Sequence, residues 1–225
     1  MTATTITVQG THIAWYDAER ATVEVSAAFD GPKREEVFAR ATQTAADVTA
    51  QITPQHDPEA GPITWWSSDR VNVWSERPWN NDGKRLPLVY HATIGIRAKF
   101  KDFEALSRFV ESLAVMEGVN VGAISWDLTE EHRKAVTDDV RRLAVEDAVL
   151  KAGSYASAAG VGTPSVIAIA DPGMLGDGGS GGIGPAPIER MAFRAQAMDA
   201  GGAPLALSPE LIQVSTSVDV RFTTP

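Results

Sequence analysis

The chain has 225 residues, of which 44% are hydrophobic and 22% charged, and these proportions exclude an extended disordered protein. The formal charge is −9 and no cluster of Lys and Arg concentrates positive charge, so we expect neither nucleic acid nor an anionic membrane as a partner. The absence of cysteine excludes disulfides, thiolate metal ligands and cysteine nucleophiles.

The amino-terminal stretch MTATTITVQGTHIAWYD has no positively charged start and no apolar run of signal-peptide length. No later stretch reaches the roughly 18 apolar residues of a membrane-spanning helix. We therefore expect a cytoplasmic protein without membrane insertion, or a periplasmic or cell-surface protein if a leader has been removed.

The first quarter of the chain predicts two strands and a helix. Residues 4 to 15 and 20 to 29 have strand composition, and the second segment alternates apolar and polar side chains. Residues 30 to 52 predict an amphipathic helix with Pro32 in its first turn. The apolar positions of this helix recur every three or four residues: Val37, Ala41, Ala45, Val48 and Ile52.

A hairpin, a second helix and a further strand follow. The segment ITWWSSDRVNVWS, the turn RPWNNDGKR and the alternating run from Leu86 to Phe100 predict two antiparallel strands. Asp102 is a suitable N-cap for a helix closed by Gly118, and residues 119 to 127 return as a strand. The apolar stripe of this second helix is Phe103, Leu106, Val110 and Leu113.

The order of elements from residue 20 to residue 127 is strand, helix, strand, strand, helix, strand. This order is that of the split βαββαβ arrangement of ferredoxin-like folds. We therefore predict an α+β protein whose antiparallel sheet carries two helices on one face.

The remaining chain predicts a long helix and two further strands. Thr129 begins the helix and Gly160 ends it, and the strands are TPSVIAIAD and LIQVSTSVDVRF. We expect residues 172 to 208 to form a flexible loop, and residues 211 to 222 to form an edge strand with unpaired backbone groups. The predicted stripe of the helix is Val136, Val140, Ala144, Ala148, Ala152, Tyr155 and Ala159.

We predict that residues 1–225 form a single domain. Within it, residues 1–128 contain the βαββαβ part, and residues 129–225 contain the long helix, the flexible loop and the last two strands.

The late segment MLGDGGSGGIGP contains the G-x-G-x-x-G spacing of dinucleotide-binding loops at Gly176, Gly178 and Gly181. That motif binds pyrophosphate at the start of the helix that directly follows it. Here the preceding strand ends by Asp171, and two prolines in IGPAPIER occupy the positions where the helix would run. We therefore predict no phosphate site in this segment.

The same segment contains the G-x-S-x-G spacing of a nucleophile elbow at Gly178, Ser180 and Gly182. The fold that uses this elbow places its acid and then its histidine after the serine, whereas all four histidines of this chain precede Ser180. We interpret the segment as a flexible connection and not as a catalytic loop.

The other polar residues form no recognisable catalytic pattern. The histidines lack the H-x-x-x-H spacing of a zinc site, and Glu130 and Glu131 at the start of a helix favour its dipole. We predict no catalytic residues, no cofactor and no bound metal.

Four of the six tryptophans, Trp65, Trp66, Trp74 and Trp79, fall within fifteen residues. Adjacent Trp65 and Trp66 must point to opposite faces of a strand. The cluster predicts either core and cross-strand packing or an exposed contact surface for a partner, because exposed tryptophans are frequent anchors at interfaces. The sequence leaves both interpretations open.

Three stretches resemble the SIMPL-domain family, a bacterial domain whose molecular function is poorly defined. They are TITVQGTHIAWYDAERATVEVSAAF, LAVEDAVLKAGSYASAAGVGTPSVIAIAD and LSPELIQVSTSVDVRF. The resemblance implies a non-enzymatic role, with some members linked to envelope stress or to assembly into larger oligomers. It also implies that residues 172 to 208 are the variable connection of the family.

Two hypotheses for function follow. The first is a scaffold without chemistry of its own, which associates with further copies of itself as a homo-oligomer or binds a protein partner. The second is a small-molecule binder or hydrolase with a pocket near the tryptophans, using Asp69, Arg70 or His91 as polar groups.

Overall fold

Seven strands and three α-helices make up the described part of the chain, which is residues 3–79, 85–175 and 205–225 of a computed structural model. The strands form two antiparallel sheets, which confirms the predicted α+β class. In chain order the elements are β1 (Thr4–Tyr16), β2 (Arg20–Gly31), α1 (Arg34–Ile52), β3 (Ile63–Glu76), β4 (Val89–Phe100), α2 (Phe103–Ala114), β5 (Val119–Asp127), α3 (Glu130–Ala159), β6 (Ser165–Ala170) and β7 (Ile212–Thr224).

The described residues divide into two compact units, each with one sheet. The four-stranded unit contains residues 17–79, 85–128 and 205–210, and the three-stranded unit contains residues 3–16, 129–175 and 211–225. Strand β1 therefore belongs with the late part of the chain and not with the βαββαβ part, because it pairs with β7 along its whole length. That the chain forms one domain stays a prediction.

The four-stranded unit has the strand order β3-β4-β2-β5, which is the order of a ferredoxin-like sheet. Helix α1 packs against β2 and β4, and α2 packs against β5 and β4. The predicted βαββαβ arrangement is confirmed. Its largest fully buried side chains are Phe100, Ile52, Ile63, Ile96, Leu106, Leu113, Val23 and Val48.

The ends of the first two helices differ in part from expectation. Asp102 caps α2 as predicted, since its carboxylate accepts two backbone N–H groups at 2.9 and 3.0 Å. Helix α2 ends at its C-cap Val115, before Gly118, which has a φ of 75° in the turn into β5. Pro32 precedes the N-cap Lys33 and so lies just outside α1.

Helix α3 has its predicted ends but a different buried stripe. Thr129 accepts the backbone N–H of His132, and Gly160 closes the helix in a left-handed conformation. The predictions for Tyr155 and Ala159 are wrong, because both are exposed. Buried positions recur strictly every four residues, a spacing that advances about 40° per step around the helix, so the buried face rotates along it. They are Val136, Val140, Ala144, Ala148, Ala152 and Ala156.

The three-stranded unit has the strand order β1-β7-β6. The prediction that the last strand is an edge strand is wrong, because β7 lies between β1 and β6 and pairs with both. Alternation along β7 indicates which face is buried but carries no information about the partner of either edge. The edges of this sheet are β1 and β6.

Helix α3 crosses β1 at Gly10 with almost no intervening space. A Cβ atom at Gly10 would lie 2.0 Å from the carbonyl oxygen of Ala144 and 2.8 Å from the Cβ of Ala148. The buried cluster of this unit forms around the same crossing, with Val8, Val220 and Phe222 packed against the small residues of the helix. Close packing of helix on sheet therefore depends on the missing side chain of Gly10.

Two charged side chains of α3 satisfy backbone groups of β1 on either side of this crossing. The Asp147 carboxylate accepts the N–H of Thr11 at 2.8 Å, and the Lys151 ammonium donates to the carbonyl of Gln9 at 3.0 Å. Asp147 and Lys151 also pair with each other at 2.6 Å. The middle of the β1 edge is thus occupied by the helix, and an additional strand cannot pair there without displacing both side chains.

We expect the substitution Gly10→Ala to lower the free energy of unfolding by about 3 kcal/mol, because the new methyl group would overlap a helix backbone atom. The matched control is Gly153→Ala in α3, where an added Cβ meets no atom within 4 Å and helix propensity favours alanine by about 1 kcal/mol. Urea unfolding of the two variants measures both effects. Equal midpoints for the two would contradict the close crossing.

The contacts of the Asp147 carboxylate predict that the stability of the fold depends on pH. The hydrogen bond from Lys151, together with that from the Thr11 N–H, holds the pKa of Asp147 below its usual value near 3.8. Because this pKa is lower in the folded than in the unfolded state, the ionised carboxylate stabilises the fold above about pH 5, and this stabilisation is lost as the pH falls below about 4.

The substitution Asp147→Asn should therefore lower the thermal midpoint at pH 7, and the difference from the unchanged protein should shrink towards pH 3. Asp139→Asn serves as the control, since Asp139 has only an exposed ion pair with Arg142 within α3. A pH-independent difference for Asp147→Asn would contradict the electrostatic role of this carboxylate.

Candidate functional site

Within the described residues, one face of the four-stranded sheet carries no helix of its own unit, and we call it the open face. It carries the side chains that alternate with the core positions, and most of them are polar. From β3 they are Trp65, Ser67, Arg70, Asn72 and Trp74, from β4 His91, Thr93, Gly95, Arg97 and Lys99, and from β2 Thr22, Glu24 and Ser26.

The structure separates the four tryptophans of the predicted contact surface. Trp66 packs against the core, whereas its neighbour Trp65 is 42% exposed on the open face. Trp74 is also on the open face and 42% exposed, and Trp79 follows β3 and is 84% exposed. Core packing therefore applies to Trp66, and the contact-surface interpretation stays a prediction for the other three.

Each tryptophan of the open face has a cationic or titratable neighbour. The guanidinium of Arg97 lies 5.6 Å from the ring centre of Trp65, and the ammonium of Lys99 lies 6.0 Å from it, which is the range of cation–π attraction. The imidazole of His91 stacks on Trp74 at 4.9 Å and 14°. These contacts hold the side chains of Arg97, Lys99 and His91 against tryptophan rings along β3 and β4.

A groove of about 210 Å³ lies on the open face between the two tryptophan positions. Gly95 of β4 and Gly122 of β5 leave its floor without side chains. Its polar lining is Glu24, Ser26, Arg70, Thr93, Arg97 and Asn120. The pairing of β3 with β4 shifts register beside Arg70, a bulge of the kind that re-aims a side chain.

From the sequence we proposed Asp69, Arg70 and His91 as polar groups of a pocket near the tryptophans, and one of the three lines this groove. Arg70 does so, whereas His91 stacks on Trp74 outside the lining. The side chain of Asp69 lies outside the described residues. Sequence reasoning missed Gly95 and Gly122, although a glycine inside a strand pattern is a known signal of a bulge or of close approach by a ligand.

Two polar atoms of the open face are buried without a hydrogen-bond partner, the Ser67 hydroxyl oxygen and His91 Nε2. Most buried polar groups in proteins do have a partner. His91 Nε2 lies 3.7 Å from the carboxylate of Glu76, so a protonated imidazole would form an ion pair there. The open face thus has hydrogen-bonding capacity that the described residues do not use.

A second exposed feature lies in the three-stranded unit, along β6. Val166, Ile167 and Ile169 are 46%, 54% and 53% exposed, and this strand has no charged residue. Strand β6 pairs with β7 on one side, and within the described residues no hydrogen bond is made by its other side. We call this strand with its exposed side chains the apolar edge.

The glycine motifs of residues 176–182 lie outside the described residues. The chain just before them is held in place, because Gly173 donates to Asp219 at 2.7 Å and Arg221 donates to the carbonyl of Leu175 at 2.6 Å. Where the chain is described again, Leu207 packs against the core of the four-stranded unit. The predicted loop of residues 172 to 208 is therefore anchored at both described ends.

Two further observations concern the described ranges 3–79, 85–175 and 205–225. None of their helices is both long enough and apolar enough to cross a bilayer. In the same ranges, no three His, Asp or Glu side chains are grouped in a way that could hold a metal ion.

The described chain is thus an α+β protein with two antiparallel sheets, a polar groove on one and an apolar edge on the other. The model of the SIMPL family, described as a protein of unknown function (DUF541), matches residues 6–222. The chain therefore belongs to the SIMPL family, and the match includes residues of both units. No curated protein matches the chain at a significant level.

The different environments of Trp65 and Trp66 predict different effects of the same substitution. Trp66→Ala should lower the free energy of unfolding by about 3 kcal/mol, because it leaves a cavity in the core. Trp65→Ala should lower it by less than about 1 kcal/mol, because it removes only surface contacts. Urea unfolding measures both, and a larger loss for Trp65→Ala would contradict the assigned faces.

Proposed function

We propose that this SIMPL-family protein is a non-enzymatic scaffold that associates with a second copy of itself. The observation that carries the proposal is the apolar edge, a strand with three exposed β-branched side chains and no charge. Unpaired strands of this composition pair readily with other strands. A role in envelope stress, which the family resemblance implies, would then depend on assembly and not on catalysis.

The two edges of the three-stranded sheet support the proposal by their difference. On β1, Asp147 and Lys151 bind the outward backbone groups of Thr11 and Gln9. Within the described residues, no side chain binds the outward backbone groups of β6 in this way. The strand itself contains no charged side chain. Charges at an edge are a common means of preventing strand pairing, so the sheet is protected on one side and available on the other.

Pairing of β6 with β6 of a second copy would form a two-fold symmetric contact, in which the same residues meet from both sides. The two three-stranded sheets would become one six-stranded sheet. The contact would cover part of the side chains of Val166, Ile167 and Ile169 by cross-strand packing, and it would supply partners for the β6 backbone groups that make no hydrogen bond within the described residues. Backbone pairing provides the affinity, and burial of these side chains fixes the register.

A second candidate function is binding of a different protein through Trp65, Trp74 and Trp79. The specific observation is the 84% exposure of Trp79, which is large for an aromatic side chain. Tryptophans at the centre of an interface often dominate its binding energy. This surface lies in the four-stranded unit, so it can be tested independently of the apolar edge.

Native mass measured by size-exclusion chromatography with light scattering, over a hundredfold range of concentration, tests self-association. We expect a discrete dimer with twice the 24.0 kDa chain mass. The substitution Ile169→Lys should shift dissociation to at least tenfold higher concentration, because a lysine on an edge strand opposes pairing with another strand. The matched control is Val115→Lys in the four-stranded unit, an apolar residue that is 87% exposed.

A monomer at every concentration would overturn the self-association proposal. A dimer unaffected by Ile169→Lys but dissociated by Trp79→Ser would place the interface at the tryptophans. Thermal unfolding of each variant distinguishes a lost contact from a lost fold, and Ile169 is exposed enough for lysine to be tolerated in the monomer.

A further inference from the structure

We propose that the groove on the open face is a binding site for a small carboxylic acid in its ionised form. In this site Arg70 pairs with the ligand carboxylate, and the remainder of the ligand lies over the floor at Gly95 and Gly122. The proposal does not depend on self-association, because the groove lies entirely within the four-stranded unit.

The shape of the groove depends on two glycines that weaken their own strands. Glycine in a strand interior costs about 0.5–1 kcal/mol relative to residues with side chains. A Cβ atom at Gly95 would lie 3.4 Å from the Cβ of Arg70, and one at Gly122 would lie 3.3 Å from the carbonyl oxygen of Glu24. Side chains at these positions would occupy the space that a ligand needs.

Within the charged lining, Arg70 is the group that favours an anion. The charged side chains that line the groove are those of Arg70, Arg97 and Glu24. Glu24 is the direct cross-strand partner of Arg97, so these opposite charges are neighbours. Arg70 makes no hydrogen bond or ion pair within the described residues and is exposed towards solvent.

A guanidinium group binds a carboxylate through two parallel hydrogen bonds, which distinguishes it from a simple point charge. The net charge of the chain is −9, so the molecule as a whole repels anions. Saturable binding of an anion must therefore come from a local arrangement such as this one. The guanidinium of Arg70 matches one carboxylate, and the carboxylate of Glu24 in the same lining disfavours a second negative charge on the ligand.

The size of the groove limits the size of the ligand, and its neutral polar groups indicate which substituents the ligand can carry. A volume of about 210 Å³ is below the range of roughly 300–1,000 Å³ that is typical of sites for drug-sized ligands. It therefore accommodates a small acid and not a drug-sized molecule. Ser26, Thr93 and Asn120 supply hydroxyl and amide groups around the glycine floor, and these can bind a polar substituent.

Titration of the full ¹⁵N-labelled chain with sodium benzoate at constant ionic strength tests the site. We expect saturable chemical-shift changes at the amides of Gly95 and Gly122, with a dissociation constant on the order of 1 mM. Benzyl alcohol, which has a similar shape and no charge, should bind at least fivefold more weakly. Inorganic phosphate at the same ionic strength should also bind more weakly than benzoate.

Two substitutions test the charge of Arg70 and the shape of the glycine floor separately. Arg70→Gln should weaken benzoate binding at least fivefold, whereas Arg108→Gln, at an exposed position of α2, should leave it unchanged. Gly95→Ala should weaken binding at least threefold while keeping every charge. Arg70 is exposed and the Gly95 methyl group meets only an ordinary contact distance, so both variants should fold.

Non-saturating shifts with benzoate, or equal binding by the unchanged protein and Arg70→Gln, would overturn the proposal. Tighter binding of phosphate than of benzoate would replace the carboxylate with a phosphate ligand. Equal binding of benzyl alcohol would show that the groove recognises shape alone, which also overturns the role of Arg70.

Discussion

The crossing of α3 over Gly10 is the contact on which the three-stranded unit depends. It brings a helix backbone against β1, and this approach places Asp147 and Lys151 within hydrogen-bond distance of the β1 edge. Strand β1 in turn pairs with β7 along its full length, which joins the two ends of the chain. A single residue without a side chain therefore determines how close the helix lies, which backbone groups are satisfied and which edge of the sheet is closed to further strands.

Glycine has opposite uses in the two sheets. At Gly10 the missing side chain is replaced by the backbone of α3, so the space is filled and the result is stability. At Gly95 and Gly122 no other part of the described unit fills the space, and the result is a groove. The distinction matters for function, because glycines on β4 and β5, the two strands on either side of β2, remove packing from that face of the sheet. The groove is the structural feature that this loss produces.

Sequence reasoning succeeded where the signal is local. The stripe of α1 from Val37 to Ile52 and the N-caps Asp102 and Thr129 are where the pattern placed them, because periodicity and capping depend on neighbouring residues. The central position of β7 could not be predicted, since its pairing with β1 joins residues about 200 positions apart and alternation does not encode the partner. For the site, the pair Trp65 and Trp66 indicated two faces, but only the packing of α1 and α2 on the sheet shows which face the helices cover.

The difference between the edges of the three-stranded sheet also limits the kind of assembly that it can form. A sheet with two open edges adds strands on both sides and grows without end, as fibres do. Here an added strand at β1 would have to displace Asp147 and Lys151, so β6 is the edge that remains among the described strands. Strand β6 is short, with a register shift between Val166 and Ala168, so a partner strand could pair with it over only a few residues. If two copies pair at β6 as proposed, the contact occupies this edge of each copy, and such a two-fold symmetric contact would close at a dimer.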